Sequence, residues 1–338
     1  MSTIIIAEAG VNHNGDIELA KKMVDIASDA NADYIKFQSF KADDIVTKDA
    51  EKSKYQKSNT KNNDTQYNML KSLELSKEDH IKLINYCQSK NIKFLSSAFD
   101  LDSLDFLINL DCELIKIPSG EINNFYYLEK ISFQQTPVIL STGISTIDEI
   151  EAAIKILTSN KLSISDITIL HCNTDYPTPM KDVNLKAMLN IKEYFNVDVG
   201  YSDHTLGIEI PIAAVALGAK VIEKHFTIDR SFEGPDHACS LEPLELKNMV
   251  NAIRNIEIAC SGDGIKEPTS SEIKNKSLVR KSIYLKKDVK KGTKLTKDMI
   301  TSLRPGDGIS PMEIPNLIGK TFNKNLKAST QISHEDFE

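Results

Sequence analysis

The sequence has few cysteines, no excess of positive charge and no long apolar run, and each absence removes a class of protein. Its five cysteines (residues 87, 112, 172, 239 and 260) form no Cys-x-x-Cys pair, so we expect a reducing, cytoplasmic setting. The formal net charge of −7 argues against a nucleic acid or an acidic membrane as partner. No basic segment precedes an apolar stretch near the N-terminus, so we expect neither a signal peptide nor a transmembrane helix.

No Gly-x-Gly-x-x-Gly motif follows the first apolar run, which disfavours a doubly wound sheet, the main alternative fold. Instead, short apolar runs alternate with segments whose apolar residues recur every three or four positions. Near-continuous apolar strands that alternate with helices are typical of a parallel (β/α)8 TIM barrel. The pattern predicts that α/β fold, with strands at residues 3–7, 33–37, 93–97, 113–117, 137–140, 168–170, 197–201 and 220–222.

Two segments depart from this alternation. Residues 49–66 are rich in Lys, Asn and Ser, and they form either an active-site loop after the second strand or a solvated insertion. Residues 263–281 are polar and have the composition of a linker. We therefore expect a barrel domain over residues 1–262 and a separate small domain of short strands and turns over residues 282–338.

Polar residues follow the apolar strands repeatedly, on the face where barrel enzymes carry their chemistry. In chain order they are Glu8, Lys36 with Gln38, Ser96, Lys116 with Ser119 and Glu121, Ser141, Asn173 with Thr174, Ser202 with His204, and Glu223 with His225. One charged strand end would mean little, whereas a polar end on every strand indicates a single functional site.

Three of the seven histidines lie close together in the sequence, beside acidic residues. His204 and His225 follow the seventh and eighth predicted strands, so both imidazoles would reach the same edge of the sheet. Two imidazoles on rigid neighbouring strands suit a divalent metal such as Mn²⁺ or Zn²⁺. The alternative is that each is a hydrogen-bonded structural histidine. His237 lies in a Gly-Pro-Asp-His loop, and we expect it to have a supporting or substrate-side role.

Lys36 and Lys116 follow the second and fourth predicted strands, so both side chains can point into one cavity. With Ser119, Ser141 and Ser202 they would form a seat for a phosphate or a carboxylate. A desolvated lysine can also act as a Schiff-base nucleophile, and this alternative needs no metal.

Four carboxylates are candidates for acid–base chemistry or for orienting a metal. They are Glu8, Glu121, Glu223 and Asp236. Tyr176 lies in the stiff segment Asp-Tyr-Pro-Thr-Pro, where it either presents its ring and hydroxyl to a ligand or packs against the prolines.

Several longer motifs occur in order along the chain. They are Ala-Glu-Ala-Gly-Val-Asn-His-Asn-Gly from residue 7, Lys-Phe-Gln from 36, Lys-Ile-Pro-Ser-Gly-Glu from 116, Ser-Thr-Gly from 141, His-Cys-Asn-Thr-Asp-Tyr-Pro-Thr-Pro from 171, Ser-Asp-His from 202 and Gly-Pro-Asp-His from 234. Together they resemble the sialic acid synthase family over essentially the whole chain. The turn Arg-Pro-Gly-Asp-Gly from residue 304 resembles the signature of that family's C-terminal antifreeze-like (SAF) domain.

The resemblance implies that phosphoenolpyruvate condenses with an N-acetylated amino-sugar aldehyde and that phosphate is released. His204 and His225 would bind Mn²⁺, with Mg²⁺ or Co²⁺ as alternatives, and the ion would polarise the aldehyde. C3 of phosphoenolpyruvate would attack the aldehyde, and water would capture the cationic C2 near Glu8; Lys116 is also implied to be catalytic. The residues implied to hold phosphoenolpyruvate are Lys36, Gln38, Lys116, Ser119, Ser141, Asn173, Thr174 and Ser202.

By the same resemblance, the acceptor sugar would contact Tyr176, Asp236 and Glu121. Arg304 would reach the N-acetyl group of the sugar in the neighbouring subunit, which implies a domain-swapped homodimer. The resemblance is strongest to the N-acetylneuraminate branch, with N-acetylmannosamine as acceptor. The N,N'-diacetyllegionaminate branch, which uses 2,4-diacetamido-2,4,6-trideoxymannose, is the first alternative, and the pseudaminate branch is the second. A non-catalytic carbohydrate-binding protein would bind the sugar without releasing phosphate.

Overall fold

A computed structural model describes residues 2–60 and 64–338, and the chain divides into two compact units, Met1–Ser261 and Gly262–Glu338. Residues 263–281, predicted as a linker, fall within the second unit. They contain two short helices, the first of which begins with a capping box between Thr269 and Glu272. No helix in these described ranges is long and apolar enough to cross a bilayer.

Eight parallel strands close the first unit into a barrel, as the alternation predicts, because β1 pairs with both β2 and β8. Several strands continue past their predicted apolar ends, since the polar residues there still pair in the ladder. Glu8 lies in register with Lys36 on one side and with His225 on the other. The strands are β1 Ile4–Gly10, β2 Tyr34–Ser39, β3 Lys93–Ala98, β4 Ile115–Ile117, β5 Val138–Ser141, β6 Ile167–Cys172, β7 Asp198–Asp203 and β8 Val221–His225.

Helices surround the barrel, and their apolar faces account for the apolar residues that recur every three or four positions in the sequence. In α1, for example, Ala20, Met23, Val24 and Ala27 are buried. The helices of this unit are α1 Ile17–Asp29, α2 Ala42–Ile45, α3 Lys54–Asn59, α4 Gln66–Leu73, α5 Lys77–Ser89, α6 Leu101–Ile108, α7 Phe125–Ser132, α8 Ile147–Leu157, α9 Lys186–Phe195, α10 Glu209–Ala216 and α11 Pro243–Ala259.

An apolar layer fills the barrel interior and forms a floor beneath the polar strand ends. Because side chains alternate along a strand, the residue two positions before an inward polar residue also points inward. Gly200 belongs to this level, where a side chain would collide with Leu170 Cδ2 at 2.6 Å and with the backbone of β8. The layer consists of Ile6, Tyr34, Leu95, Ile139, Leu170 and Val221.

The segment between β2 and α5 forms a satellite core beside the mouth of the barrel. Val11, Phe40, Met69 and Leu73 are buried together there, so α4 is anchored by packing. The segment predicted as a loop, residues 49–66, contains α3. Residues 61–63 of that segment lie outside the described part of the chain.

The second unit has its own hydrophobic core, which includes Ile283, Leu295, Phe322 and Ile332. The unit contains two antiparallel strands and three one-turn helices. They are β9 Ser282–Leu285, β10 Ile300–Leu303, α12 Ser270–Ile273, α13 Lys276–Val279 and α14 Ile314–Leu317.

Candidate active site

Four charged side chains from β1, β2, β4 and β8 meet inside the barrel, directly above the apolar floor. Lys36 Nζ lies 2.9 Å from Glu8 Oε2 and 3.6 Å from Glu223 Oε2. Lys116 Nζ lies 3.5 Å from Glu223 Oε1. All four side chains are buried, so water screens their interactions little. We call these four residues the inner chamber.

Burial and neighbouring charges shift the pKa values of the two carboxyl groups of the inner chamber in opposite directions. Burial raises the pKa of Glu8, and this outweighs the opposing effect of Lys36. Burial also acts to raise the pKa of Glu223, but Lys116 and Lys36 together hold it below its ordinary value. Glu223 is thus the anionic partner of both lysines, while Glu8 takes up a proton readily. With Glu8 protonated, two ammonium groups face one carboxylate, and this surplus of positive charge suits an anionic ligand. Burial lowers the pKa of Lys116, so a bound anion would also stabilise that ammonium group.

Hydroxyl groups surround the inner chamber. Ser202 Oγ donates to Glu223 Oε1 at 2.9 Å, and Lys36 Nζ donates to Ser97 Oγ at 3.1 Å. Ser141 ends β5 with a buried hydroxyl that has no hydrogen-bond partner within residues 2–60 and 64–338. An unpartnered buried hydroxyl is costly, so Ser141 is available for a ligand.

Ser119 and Thr174 come together at Gly143, after β5. Gly143 has φ +46°, and a side chain there would lie 2.6 Å from Ser119 Oγ and 3.0 Å from Thr174 Cγ2. Glycine therefore keeps open the space beside both predicted phosphoenolpyruvate contacts.

The two histidines at the mouth are both in the form that binds metals. Burial lowers the pKa of His204 to about 4 and that of His225 well below its ordinary value, so both rings are neutral at pH 7. Nδ1 of His204 donates to the carbonyl of Asn173, and Nε2 therefore keeps its lone pair. The ring centroids lie 5.5 Å apart. No third His, Cys, Asp or Glu forms a metal-binding cluster with them in the described ranges.

A fully buried ion pair holds the strands that carry these histidines. Lys224 Nζ lies 2.5 Å from Asp203 Oδ2, and it also donates to the carbonyl of Thr205. Each partner directly precedes one histidine, so the pair fixes β7 and β8 where the imidazoles project. Loss of one partner of such a pair costs about 3–5 kcal/mol, because the other charge stays buried.

A cavity beside His225 is lined by both polar and apolar residues. Burial raises the pKa of Asp236 to about 6. Glu121 accepts a hydrogen bond from Asn124 Nδ2 at 2.7 Å, and burial raises its pKa. The polar lining residues are Gln38, Asp44, Tyr55, Gln56, Gln66, Glu121, Asn124, Tyr176, His225 and Asp236, and the apolar ones are Val11, Phe40, Ile45, Val46, Met69, Leu70, Leu73, Phe99 and Pro235.

Three predicted site residues lie elsewhere or have other partners. The Asn173 amide donates to the carbonyl of Asp182 at 2.9 Å, so this residue contributes its main-chain carbonyl to His204. Both ring nitrogens of His237 are engaged, by Thr227 at 2.7 Å and Asn14 at 3.2 Å. Arg304 belongs to the second unit, where its Nε donates to the carbonyl of Val279 at 2.9 Å.

Sequence reasoning missed three features of this site. It named Glu223 as a carboxylate but did not place it between the two lysines. Ser97 rather than Ser96 faces the inner chamber, and the strand alternation carried that signal, because Ser97 shares its face with Leu95 of the floor. Tyr55, which lines the cavity, comes from the inserted α3 and follows no strand.

Comparison with known families gives a match over residues 23–266 to the NeuB family and over residues 280–338 to the SAF domain. The chain belongs to the NeuB family. It is therefore an enzyme of the nonulosonic acid synthases, transferases that condense phosphoenolpyruvate with an acetylated sugar. The chain also matches the family's two-part organisation, a barrel followed by a SAF domain.

Relatives of known name cover nearly the full length of the synthase. It is 51% identical to the N,N'-diacetyllegionaminic acid synthase of Campylobacter jejuni, over 96% of this chain and 97% of the relative. It is 48% identical to the enzyme of the same name from Legionella pneumophila, over 100% of this chain and 95% of the relative. The solved N-acetylneuraminic acid (sialic acid) synthetase of Leptospira borgpetersenii is 37% identical, with a TM-score of 0.70, over 81% of this chain and 90% of that chain.

Proposed function

We propose that this synthase makes N,N'-diacetyllegionaminate from phosphoenolpyruvate, 2,4-diacetamido-2,4,6-trideoxymannose and water, with release of phosphate. The observation that carries the proposal is the identity of 51% and 48% to two enzymes of that name, against 37% to a sialic acid synthetase. The sequence alone led us to predict the N-acetylneuraminate branch, with N,N'-diacetyllegionaminate as the first alternative. These relatives favour that alternative.

Apolar residues in the cavity lining support this choice of sugar. The proposed acceptor carries an acetamido group at C4 and a methyl group at C6, where N-acetylmannosamine carries hydroxyl groups. Phe40, Met69 and Leu73 are buried in the lining and have no hydrogen-bonding side chain. We propose that the C6 methyl group packs against them, where a hydroxyl would lose its hydrogen bonds to water.

We assign phosphoenolpyruvate to the inner chamber and the hydroxyls around it. The cations of Lys36 and Lys116 would bind its phosphate and carboxylate groups, and Glu223 would keep both ammonium groups in place. The other residues proposed to hold it are Gln38, Ser119, Ser141, Thr174 and Ser202, with the main chain of Asn173. The floor beneath closes the barrel, so the substrate enters only from the mouth.

The residues at the mouth fit a divalent metal, since two neutral imidazoles with an orienting carbonyl provide a ligand pair. His204 and His225 would hold the ion, and Mn²⁺ is our proposal, with Mg²⁺ or Co²⁺ as alternatives. When bound, the ion supplies Lewis-acid polarisation of the aldehyde carbonyl. Tyr176 covers one face of His204, with ring centroids 4.1 Å apart, and keeps water from that side.

Glu8 is the residue that we propose to exchange a proton with the water that captures C2. It is 1% exposed and lies against Lys36, next to the proposed position of phosphoenolpyruvate. Its raised pKa suits a group that both accepts and returns a proton near neutral pH.

The binding site for the sugar would be completed by a residue from a second copy of the chain. Tyr176, Asp236 and Glu121 line the cavity, and we propose that Arg304 of a partner subunit reaches the N-acetyl group in a domain-swapped homodimer. A mixture of Arg304→Ala and His204→Ala chains, refolded together, should then regain part of the activity that neither variant has alone. If the mixture stays as inactive as its components, the site is not shared between subunits.

The choice of sugar is tested by phosphate release with phosphoenolpyruvate, Mn²⁺ and three acceptors. These are N-acetylmannosamine, 2,4-diacetamido-2,4,6-trideoxymannose and its altrose-configured isomer. We expect kcat/KM for the diacetamido mannose derivative to exceed that for N-acetylmannosamine by about 100-fold or more. N-acetylmannosamine lacks the C4 acetamido group and the C6 methyl group, so it loses the contacts that both groups would make with the cavity. A higher kcat/KM with N-acetylmannosamine would contradict this proposal and assign the enzyme to the N-acetylneuraminate branch.

A further inference from the structure

Helix α3 touches both loops that carry the proposed sugar-binding residues. Tyr55 stacks on Tyr176, with ring centroids 5.1 Å apart and planes inclined by 27°. Asn59 Nδ2 donates to the carbonyl of Pro235 at 2.7 Å, and Pro235 directly precedes Asp236. One six-residue helix of the insertion thus holds the loop after β6 and the loop after β8.

We infer that Tyr55 and Asn59 are positioning residues for the acceptor sugar, acting through Tyr176 and Asp236. This inference rests on the proposed function, because it assumes that those two residues contact the sugar. It also decides between the two interpretations of residues 49–66, since a solvated insertion would leave substrate binding unchanged.

Three rings pack around Tyr176, and the Tyr55 ring lies most nearly parallel to it. The ring centroid of His204 lies 4.1 Å from that of Tyr176 and the centroid of Tyr55 lies 5.1 Å away, while His225 meets the ring edge-on at 5.8 Å. Without the Tyr55 ring, Tyr176 loses a stacking partner and gains rotational freedom. The sugar would then have to order Tyr176 as it binds, which weakens its affinity.

The phosphoenolpyruvate seat is held by different contacts. Lys36 and Lys116 are fixed by Glu8, Glu223 and Ser97, all on barrel strands. Disturbing α3 should therefore change the KM for the sugar and leave the KM for phosphoenolpyruvate unchanged. A merely structural role of α3 would move both constants together.

A matched control comes from the same helix. Lys57 is an exposed residue of α3 that pairs with Glu51 at 2.6 Å. Lys57→Ala therefore changes the surface of the helix without removing the Tyr55 stack or the Asn59 hydrogen bond. Tyr55→Phe keeps the ring and removes the hydroxyl, so it separates stacking from hydrogen bonding.

The experiment is steady-state phosphate release with the full-length enzyme, varying one substrate while the other is saturating. Tyr55→Ala should raise the KM for the sugar about 10-fold and change that for phosphoenolpyruvate less than about 2-fold. Asn59→Ala should also raise the KM for the sugar, while Tyr55→Phe and Lys57→Ala should keep KM values near those of the wild type. If Tyr55→Ala does not fold, Tyr55→Leu, which keeps apolar volume without a ring, replaces it.

The inference is overturned if the Tyr55→Ala or Tyr55→Leu variant raises both KM values alike, or if Lys57→Ala reproduces the selective change. The assay uses whichever acceptor the wild-type enzyme turns over best. If the wild type prefers another sugar, the proposed function fails while the selective effect of Tyr55 is still measured.

Discussion

Replacement of His204 by alanine is expected to lower phosphate release about 1,000-fold or more, because several kcal/mol of carbonyl polarisation would be lost with the metal. The chain should keep its fold, since the His204 ring lies at the mouth of the barrel and the core layer beneath remains. Phosphate release, metal content of the purified protein and circular dichroism together check this expectation.

The matched control for this variant is His334→Ala. His334 is an exposed histidine of the second unit, paired with Glu313, so its loss changes histidine content without touching the barrel. This control should retain full activity and bind metal as the wild type does. An active His204→Ala enzyme that contains no metal would refute the Lewis-acid role of the site.

Replacement of Lys116 by methionine is expected to have the second largest effect, a fall of about 1,000-fold in kcat/KM for phosphoenolpyruvate. The ammonium is the partner of Glu223 at 3.5 Å and one of the two proposed cations for the substrate. Its removal leaves Glu223 paired with Lys36, so the two carboxylates of the chamber face the incoming anionic substrate with one cation fewer. The measurement is phosphate release at varied phosphoenolpyruvate, with thermal unfolding to confirm that the variant folds.

Two controls separate this effect from general damage and from covalent catalysis. Lys155→Met removes an exposed lysine of α8 that pairs with Glu151, and it should leave the kinetics unchanged. Borohydride treatment of the wild-type enzyme with pyruvate should trap no adduct. An adduct at Lys116 would favour the Schiff-base alternative, whereas wild-type turnover in Lys116→Met would contradict both roles of this lysine.

The barrel was predictable because its strands are buried on both faces and are therefore apolar almost throughout. The prediction ended most strands too early, because it equated the end of the apolar run with the end of pairing. Glu8 and His225 still pair in the ladder, and this placement brings polar groups onto rigid strands. Alternation along β3 would also have selected Ser97 over Ser96.

Other parts of the site depend on contacts that no local pattern specifies. The position of Glu223 between Lys36 and Lys116 results from three strands that the closed barrel brings together. Tyr55 reaches the site from an insertion, so its sequence neighbours give no sign of a ligand. The branch of the family was not readable either, because the motifs around the inner chamber are those that we propose to bind phosphoenolpyruvate, the substrate that all branches share.

The central claim is that water captures C2 of phosphoenolpyruvate after C3 has attacked the aldehyde. It is tested most directly with phosphoenolpyruvate that carries ¹⁸O in the oxygen bridging C2 and phosphorus, together with the preferred sugar. Phosphate then leaves with that oxygen, so mass spectrometry should find the label in phosphate and not in the nine-carbon acid. Label in the acid, with unlabelled phosphate, would mean that the phosphorus–oxygen bond breaks and would contradict this mechanism.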